Sequence, residues 1–472
     1  MKLTFYSGIN EIGGNKILLH DKNTAIFLDF GKSYHEASRY FEEFVNPRAV
    51  HGIKDYLELG LLPDNALLYR EDLLAIYQKE EPEKFQELIK NNQAIDAVLL
   101  SHAHFDHVGY LSFLNEKIPV YMSQATKDVL DTYAIIKPQN LESEIVNIST
   151  PHELSPQQRR KKKRNILSFK QAKTFQVKDL KITPIFVDHS IPGAVMYLIK
   201  GSKTVLYSGD FRLSEIPEKQ LQFIYDFLSH QKIDFFLCEG TRVDDQHILR
   251  EQDVFEKALE TVEKVKGLVV ADYSMADVTR FKTLSLVAQK TKRIMALPFN
   301  YFGYLSFLQE KGLEVGDFSR AVLYEKKKGS LKKWEKELLK KYQTIDYLEI
   351  RQHPKDYLAI LNFFQIQELV DLQPDEKSYF LRAITEPHSE ESEISEERFI
   401  NWIKHFKMQG LTEEGKFERA HISGHISGKE LEEFISKIKP DCVIPIHTEH
   451  PEEFKKFHKN VKIVKRGETI EM

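Results

Sequence analysis

Four side chains able to bind a metal crowd into six residues at His102-Ala-His104-Phe-Asp106-His107, and no other segment restricts the fold of this chain so tightly. The run follows an apolar stretch of strand length, Ala97 to Leu100, and precedes a Val-Gly turn. A loop at a strand's end splays successive side chains in several directions. Imidazole and carboxylate together suit zinc, and the spacing lets His102 and His104 hold one ion while Asp106 and His107 hold a neighbour. A lone histidine is more often a surface or core residue than a ligand; this spacing reverses those odds. More candidates lie far away in sequence, each closing an apolar run: His189 ends Ile-Phe-Val-Asp-His, Asp210 ends Val-Leu-Tyr-Ser-Gly-Asp, and His447 ends Val-Ile-Pro-Ile-His. Singly each reads equally well as a core or turn residue. Together with the run they make a seven-ligand set of the kind that assembles from loops at one edge of a layered α/β protein.

With 472 residues the chain exceeds one compact core, so two domains, or one with a large insertion, are expected. It opens with beta-rich runs, Leu3 to Tyr6, Lys16 to His20 and Thr24 to Asp29, read as an antiparallel meander. Residues 33–93 are helical and charged, with Pro47, Pro63 and Pro82 as punctuation, and are expected to form a helical insertion covering the site. Beta-rich runs follow at Val120 to Met122, Leu167 to Phe169, Thr174 to Val187, Met196 to Ile199 and Thr204 to Tyr207, with a helix at Thr126 to Ile136. After Asp234 to Cys238 the pattern becomes helix Asp253 to Val265, strand Leu268 to Ala271, helix Asp277 to Lys290 and strand Ile294 to Leu297. Strand, crossover helix and strand imply a parallel pair. The expected organisation is a first domain in residues 1–242, an insert in 243–377, and a return to the first domain in 378–472. The acidic, serine-bearing stretch Glu386 to Glu397 reads as a surface connection.

The net charge of -4 excludes a uniformly basic coat, so any polyanion site must be local. Two basic runs qualify: Arg159 to Arg164, and the cluster Lys326, Lys327, Lys328, Lys332 and Lys333, which Glu325, Glu335 and Glu337 interleave. Both read equally as solvated faces. Cys238 and Cys442 sit among apolar neighbours, as reduced buried thiols do. The start has no apolar signal region and no segment has the length of a membrane span, so a soluble cytoplasmic protein without membrane partners is expected.

The ligand set resembles the metallo-beta-lactamase superfamily. Gly13-Gly14-Asn15, Leu28-Asp29-Phe30-Gly31, Gly209-Asp210-Phe211-Arg212, Glu239-Gly240-Thr241 and Ile422-Ser423-Gly424-His425 are similar to motifs of its beta-CASP nucleases, ribonuclease J and its archaeal relatives above all. The resemblance implies a four-layer αββα fold with an inserted α/β beta-CASP domain. It also implies two zinc ions, or manganese in their place: His102, His104 and His189 on one, Asp106, His107 and His447 on the other, Asp210 bridging, and Asp29 bracing from behind. Such a pair activates water and clamps a phosphodiester. Asp106, Glu239 and His425 are then the catalytic residues, with Glu239 orienting His425 as proton donor to the leaving oxygen. Arg212, Ser274, Ser423 and Gly424 are expected to touch substrate, Ser274 because Ala271 to Asp277 is a strand-to-helix turn able to bind phosphate or to serve as a plain helix cap.

A histidine at position 447 is the choice of RNA-processing members, where DNA-cutting relatives carry an apolar residue, so single-stranded RNA is the expected substrate. The chain stops soon after His447, without the C-terminal domain usual in ribonuclease J, which leaves a homodimer open. Other readings of the same residues are a DNA nuclease, a hydrolase of small esters, thioesters or lactams, and an RNA-binding scaffold without metals.

Overall fold

The computed structural model describes every residue except Glu43, Lys328, His388 and Ser389, so part of the second basic cluster and part of the acidic connection lie outside the described residues. The chain divides into two compact units. One comprises Met1–Ala134, Pro138–Ile248 and Gly424–Met472, the other Ile135–Lys137 and Leu249–Ser423.

The first unit is built on two sheets. In order, one contains Thr469–Glu471, Lys2–Ser7, Lys16–Asp21, Thr24–Leu28, Ala97–Leu99, Val120–Ser123 and Ile166–Phe169. The other contains Cys442–Ile446, Phe235–Glu239, Thr204–Tyr207, Val195–Lys200, Leu180–Phe186 and Phe175–Val177. Leu3, Ile17, Leu28 and Leu99 of the first share one core with Ile182, Tyr197, Leu237 and Ile444 of the second, so the sheets pack face to face. Helices Glu218–Ser229 and Gly428–Ile438 cover the second sheet's outer face through Ile224, Leu228, Leu431 and Phe434. Thr24–Leu28 and Ala97–Leu99 are buried on both faces, as internal strands between covered layers must be. The architecture is the αββα sandwich expected from the sequence.

Strand direction places the site. Thr24–Leu28 runs parallel to Ala97–Leu99. Phe235–Glu239 runs parallel to both Thr204–Tyr207 and Cys442–Ile446. Leu180–Phe186 shares that direction, two antiparallel steps away. Their carboxyl ends therefore lie at one edge, from which Asp29, the run from His102, His189, Asp210, Glu239 and His447 emerge. The expected strand Thr174 to Val187 is instead a hairpin of Phe175–Val177 and Leu180–Phe186, turned at Lys178, whose φ of +45° no strand residue adopts.

The second unit carries six parallel strands in the order Thr344–Ile345, Ala321–Tyr324, Ile294–Pro298, Tyr357–Ile360, Val269–Asp272 and Tyr379–Arg382. The two strands read as a parallel pair are parallel, but Tyr357–Ile360 lies between them. The boundary expected at residue 378 is corrected to Gly424. Tyr379–Arg382 pairs with Val269–Asp272 as the edge strand of this sheet, and Phe399, Ile403, Met408 and Phe417 join its core. Most of the acidic stretch read as a surface connection belongs to helix Glu390–His405, which supplies Phe399 and Ile403. No helix among the described residues is long and apolar enough to cross a membrane.

Candidate metal centre

Two triangles of donor atoms meet at one carboxylate oxygen. His102 Nε2 and His189 Nε2 each lie 3.0 Å from His104 Nδ1, and 3.6 and 3.9 Å from Asp210 Oδ2. On the other side of that oxygen, His107 Nε2 is 3.2 Å and His447 Nε2 3.4 Å away, and both approach Asp106 Oδ2, at 3.4 and 3.2 Å. Donors around a tetrahedral ion with bonds of roughly 2.0–2.1 Å are about 3.3 Å apart, which is the scale of these separations. Asp210 Oδ1 and His107 Nε2 are buried without a hydrogen bond. Buried polar atoms normally find partners, and a bound cation would supply one here.

The imidazoles are held by the nitrogen each turns away. His107 Nδ1 donates to Asp29 Oδ2 at 2.6 Å, and His189 Nδ1 to the Gly424 carbonyl at 2.7 Å. Ser101 Oγ gives its proton to Asp29 and accepts from His102 Nδ1 at 3.0 Å. Thr241 Oγ1 lies 2.9 Å from His447 Nδ1. In each case Nδ1 is engaged by a support and Nε2 faces the centre, the arrangement that fixes metal-binding histidines. Asp29 is fully buried and also accepts from Ser101 N and Tyr207 Oη, so one carboxylate locks several supports. Both Asp29 and His447 adopt left-handed backbone, with φ of +55° and +50°, which breaks their strands and costs roughly 1–3 kcal/mol each.

Electrostatics follow the geometry. Burial pushes His102 and His189 well below the usual imidazole range and His104 down to about 4, leaving lone pairs available at neutral pH. Burial opposes charge on His447 too, but Asp210 and Asp106 outweigh it and hold its pKa at about 9. His107 is raised in the same way, while His107 and His447 overcome burial to keep Asp106 and Asp210 well below the carboxylate range.

Beside the triangles, His425 Nδ1 lies 3.1 Å from both oxygens of the fully buried Glu239. Glu239 also accepts from the backbone of Phe211 and Thr241, so its oxygens are committed to bracing. His425 Nδ1 is 4.0 Å from Asp210 Oδ2, at the rim of the centre.

The expected substrate contacts fare differently. Arg212 is 1% exposed and bonds the Asp188 side chain and carbonyl, so it braces the residue before His189. Gly424 is likewise a support, because its carbonyl holds His189 and an added Cβ would stand 2.9 Å from that ring. Ser274 is exposed in the second unit, on the turn before helix Val278–Lys290, but Asp277 already caps that helix through Arg280 N. Ser423 is half-buried at the end of the second unit. Thr241, inside the motif Glu239-Gly240-Thr241, and Ser101, just before the metal run, are supports that their sequence positions do not mark as such.

Residues 71–270 match the family described as "Beta-lactamase superfamily domain", and residues 415–469 match "Zn-dependent metallo-hydrolase RNA specificity domain". These matches support a metallo-beta-lactamase protein of the beta-CASP kind, resembling ribonuclease J. Among curated superfamily proteins, Ribonuclease J of Helicobacter pylori is 20% identical, the match covering 100% of this chain and 61% of that protein. Ribonuclease J of Mycoplasma genitalium is 20% identical over 77% of this chain and 59% of its own length. Integrator complex subunit 11 of Danio rerio is 25% identical over 38% of this chain and 30% of its own. The chain thus spans about 60% of the ribonuclease J proteins it matches. A crystal structure of a protein of unknown function from Enterococcus faecalis has the same fold, with a TM-score of 0.70, 21% identity and 99% coverage of both chains.

Proposed function

We propose that this chain is a ribonuclease that hydrolyses RNA phosphodiester bonds with two zinc ions, to both of which Asp210 would be a ligand. The observation that carries the reading is Asp210 Oδ2, which lies within 4 Å of His102, His107, His189 and His447. One oxygen so placed suits a shared cation pair better than a single site. His102, His104 and His189 would hold one ion, and Asp106, His107 and His447 the other. When bound, such ions polarise a phosphodiester and make water a nucleophile at neutral pH.

The remaining chemistry belongs to the protein. Attack at phosphorus breaks the bond to the leaving oxygen, which needs a proton. His425, oriented by Glu239 through Nδ1, would deliver it from Nε2. The names of the ribonuclease J relatives and the RNA-specificity description of residues 415–469 support RNA as substrate.

The test is cleavage of end-labelled RNA by purified protein supplied with zinc or manganese, alongside metal analysis. The wild type is expected to bind two ions per chain and cut RNA, and Asp106→Ala to abolish cutting while keeping a cooperative unfolding transition. Full activity in Asp106→Ala would sink the mechanism. Turnover of a thioester or of DNA in preference to RNA would replace the substrate.

A further inference from the structure

The basic run of residues 159–164 has no part in the metal centre. Arg160–Lys163 forms a two-stranded ribbon with Asn147–Thr150, in register from Asn147 opposite Lys163 to Thr150 opposite Arg160. All four basic side chains of that strand are exposed. Residues directly opposite share a face. Ile148, 1% exposed, stands opposite Lys162, so that face turns toward the body of the unit, where Lys162 pairs with Glu116. Lys161 and Lys163 point outward, opposite Ser149 and Asn147. Among the described residues Arg160, Lys161 and Lys163 have no ion pair.

The ribbon is firmly mounted. Arg70, 1% exposed, donates to the Ser149 carbonyl at 3.1 Å and to Glu144 at 2.8 Å, and forks onto Asp72. Asp72 in turn accepts from Thr150 Oγ1 and His152 N. At the other strand's end, buried Arg164 donates to the carbonyls of Ile145 and Leu114. Two buried arginines thus fix a strand whose own cations are left unpaired, in a chain with 71 acidic against 67 basic residues. Lys161 and Lys163 stand roughly 7 Å apart along the strand, a spacing comparable with successive phosphates of an extended nucleic-acid strand.

We propose that this ribbon is a second RNA contact, outside the metal centre, at which Lys161 and Lys163 bind the phosphate backbone of a single strand. The identity of the ligand rests on the ribonuclease reading. The competing explanation is that lysines on a free strand edge block pairing with other chains. Reversing the charges separates the two, because glutamates also guard an edge but repel phosphate.

The experiment compares the wild type with Lys161→Ala/Lys163→Ala and with the corresponding double Glu variant. Affinity for fluorescein-labelled oligouridylate is measured by anisotropy in EDTA over a salt series. Two lost contacts should make the log-log salt slope shallower by about 1.4, and weaken binding several-fold at low salt, most in the Glu variant. Turnover of bis(p-nitrophenyl) phosphate, too short to reach the ribbon, should be equal in all three with metal present. An unchanged slope overturns the proposal. So does self-association of the Ala variant alone with RNA affinity intact, which would assign the lysines to edge protection, or a parallel loss of small-ester turnover, which would assign the effect to the fold. A wild type that binds RNA through the ribbon but never cuts it would leave the contact standing and remove the ribonuclease reading.

Discussion

Below about pH 9 the metal-free centre keeps a proton on His447, because Asp210 and Asp106 outweigh the cost of charging a buried ring. That proton occupies the lone pair a cation needs, so binding must expel it. Affinity for zinc at the Asp106, His107 and His447 triangle should therefore rise with pH toward 9, with net proton release near neutrality. Calorimetry in two buffers of different ionisation enthalpy measures the release, and pH-independent binding with none would contradict the assignment. The candidate ligands were legible in the sequence, since they are metal-binding residue types at the ends of apolar runs. Of their supports only Asp29 was. A threonine after Glu239-Gly240 acquires its role only when the distant strand ending at Ile446 brings His447 within hydrogen-bonding reach, and Ser101, beside His102, only when distant Asp29 accepts its proton. Arg212, expected from its motif to touch substrate, has its guanidinium buried against Asp188.

At the scale of elements, the helical insertion and the ribbon behave as one piece because Arg70 joins them. Its partners Glu144 and Ser149 lie more than 70 positions away, so nothing in Tyr69-Arg70-Glu71-Asp72 marks it as buried. Arg70→Met keeps the volume but leaves Asp72 and Glu144, 10% and 8% exposed, without their cation. Removing one partner of a buried ion pair costs about 3–5 kcal/mol. Denaturant unfolding should show a loss of that size, and a loss under 1 kcal/mol (roughly that of an exposed pair) would mean the network is solvated. Most helices and strands were visible in periodicity and punctuation. The ribbon was not, because a strand of consecutive cations has no apolar alternation to reveal its pairing.

Across the whole molecule, the one large revision concerns where the inserted unit ends. Tyr379–Arg382 is four buried residues, too short for periodicity to distinguish from a connection, and the acidic sequence after it disguises a helix that buries Phe399 and Ile403. The sheet makes the difference concrete. Without residues beyond 377, Val269–Asp272 becomes an unpaired edge, and Phe380, Phe399, Ile403, Met408 and Phe417 vanish from a core that also contains Val270, Ala359 and Leu369. A fragment of residues 249–423 holds that sheet and core complete and should unfold cooperatively by circular dichroism, with dispersed amide resonances. A fragment of residues 243–377 should be aggregation-prone or lack a cooperative transition, because it exposes both an apolar face and an open strand edge. Equal cooperativity in the two would show that the last strand and helix are dispensable, and would return the boundary to where the sequence alone had put it.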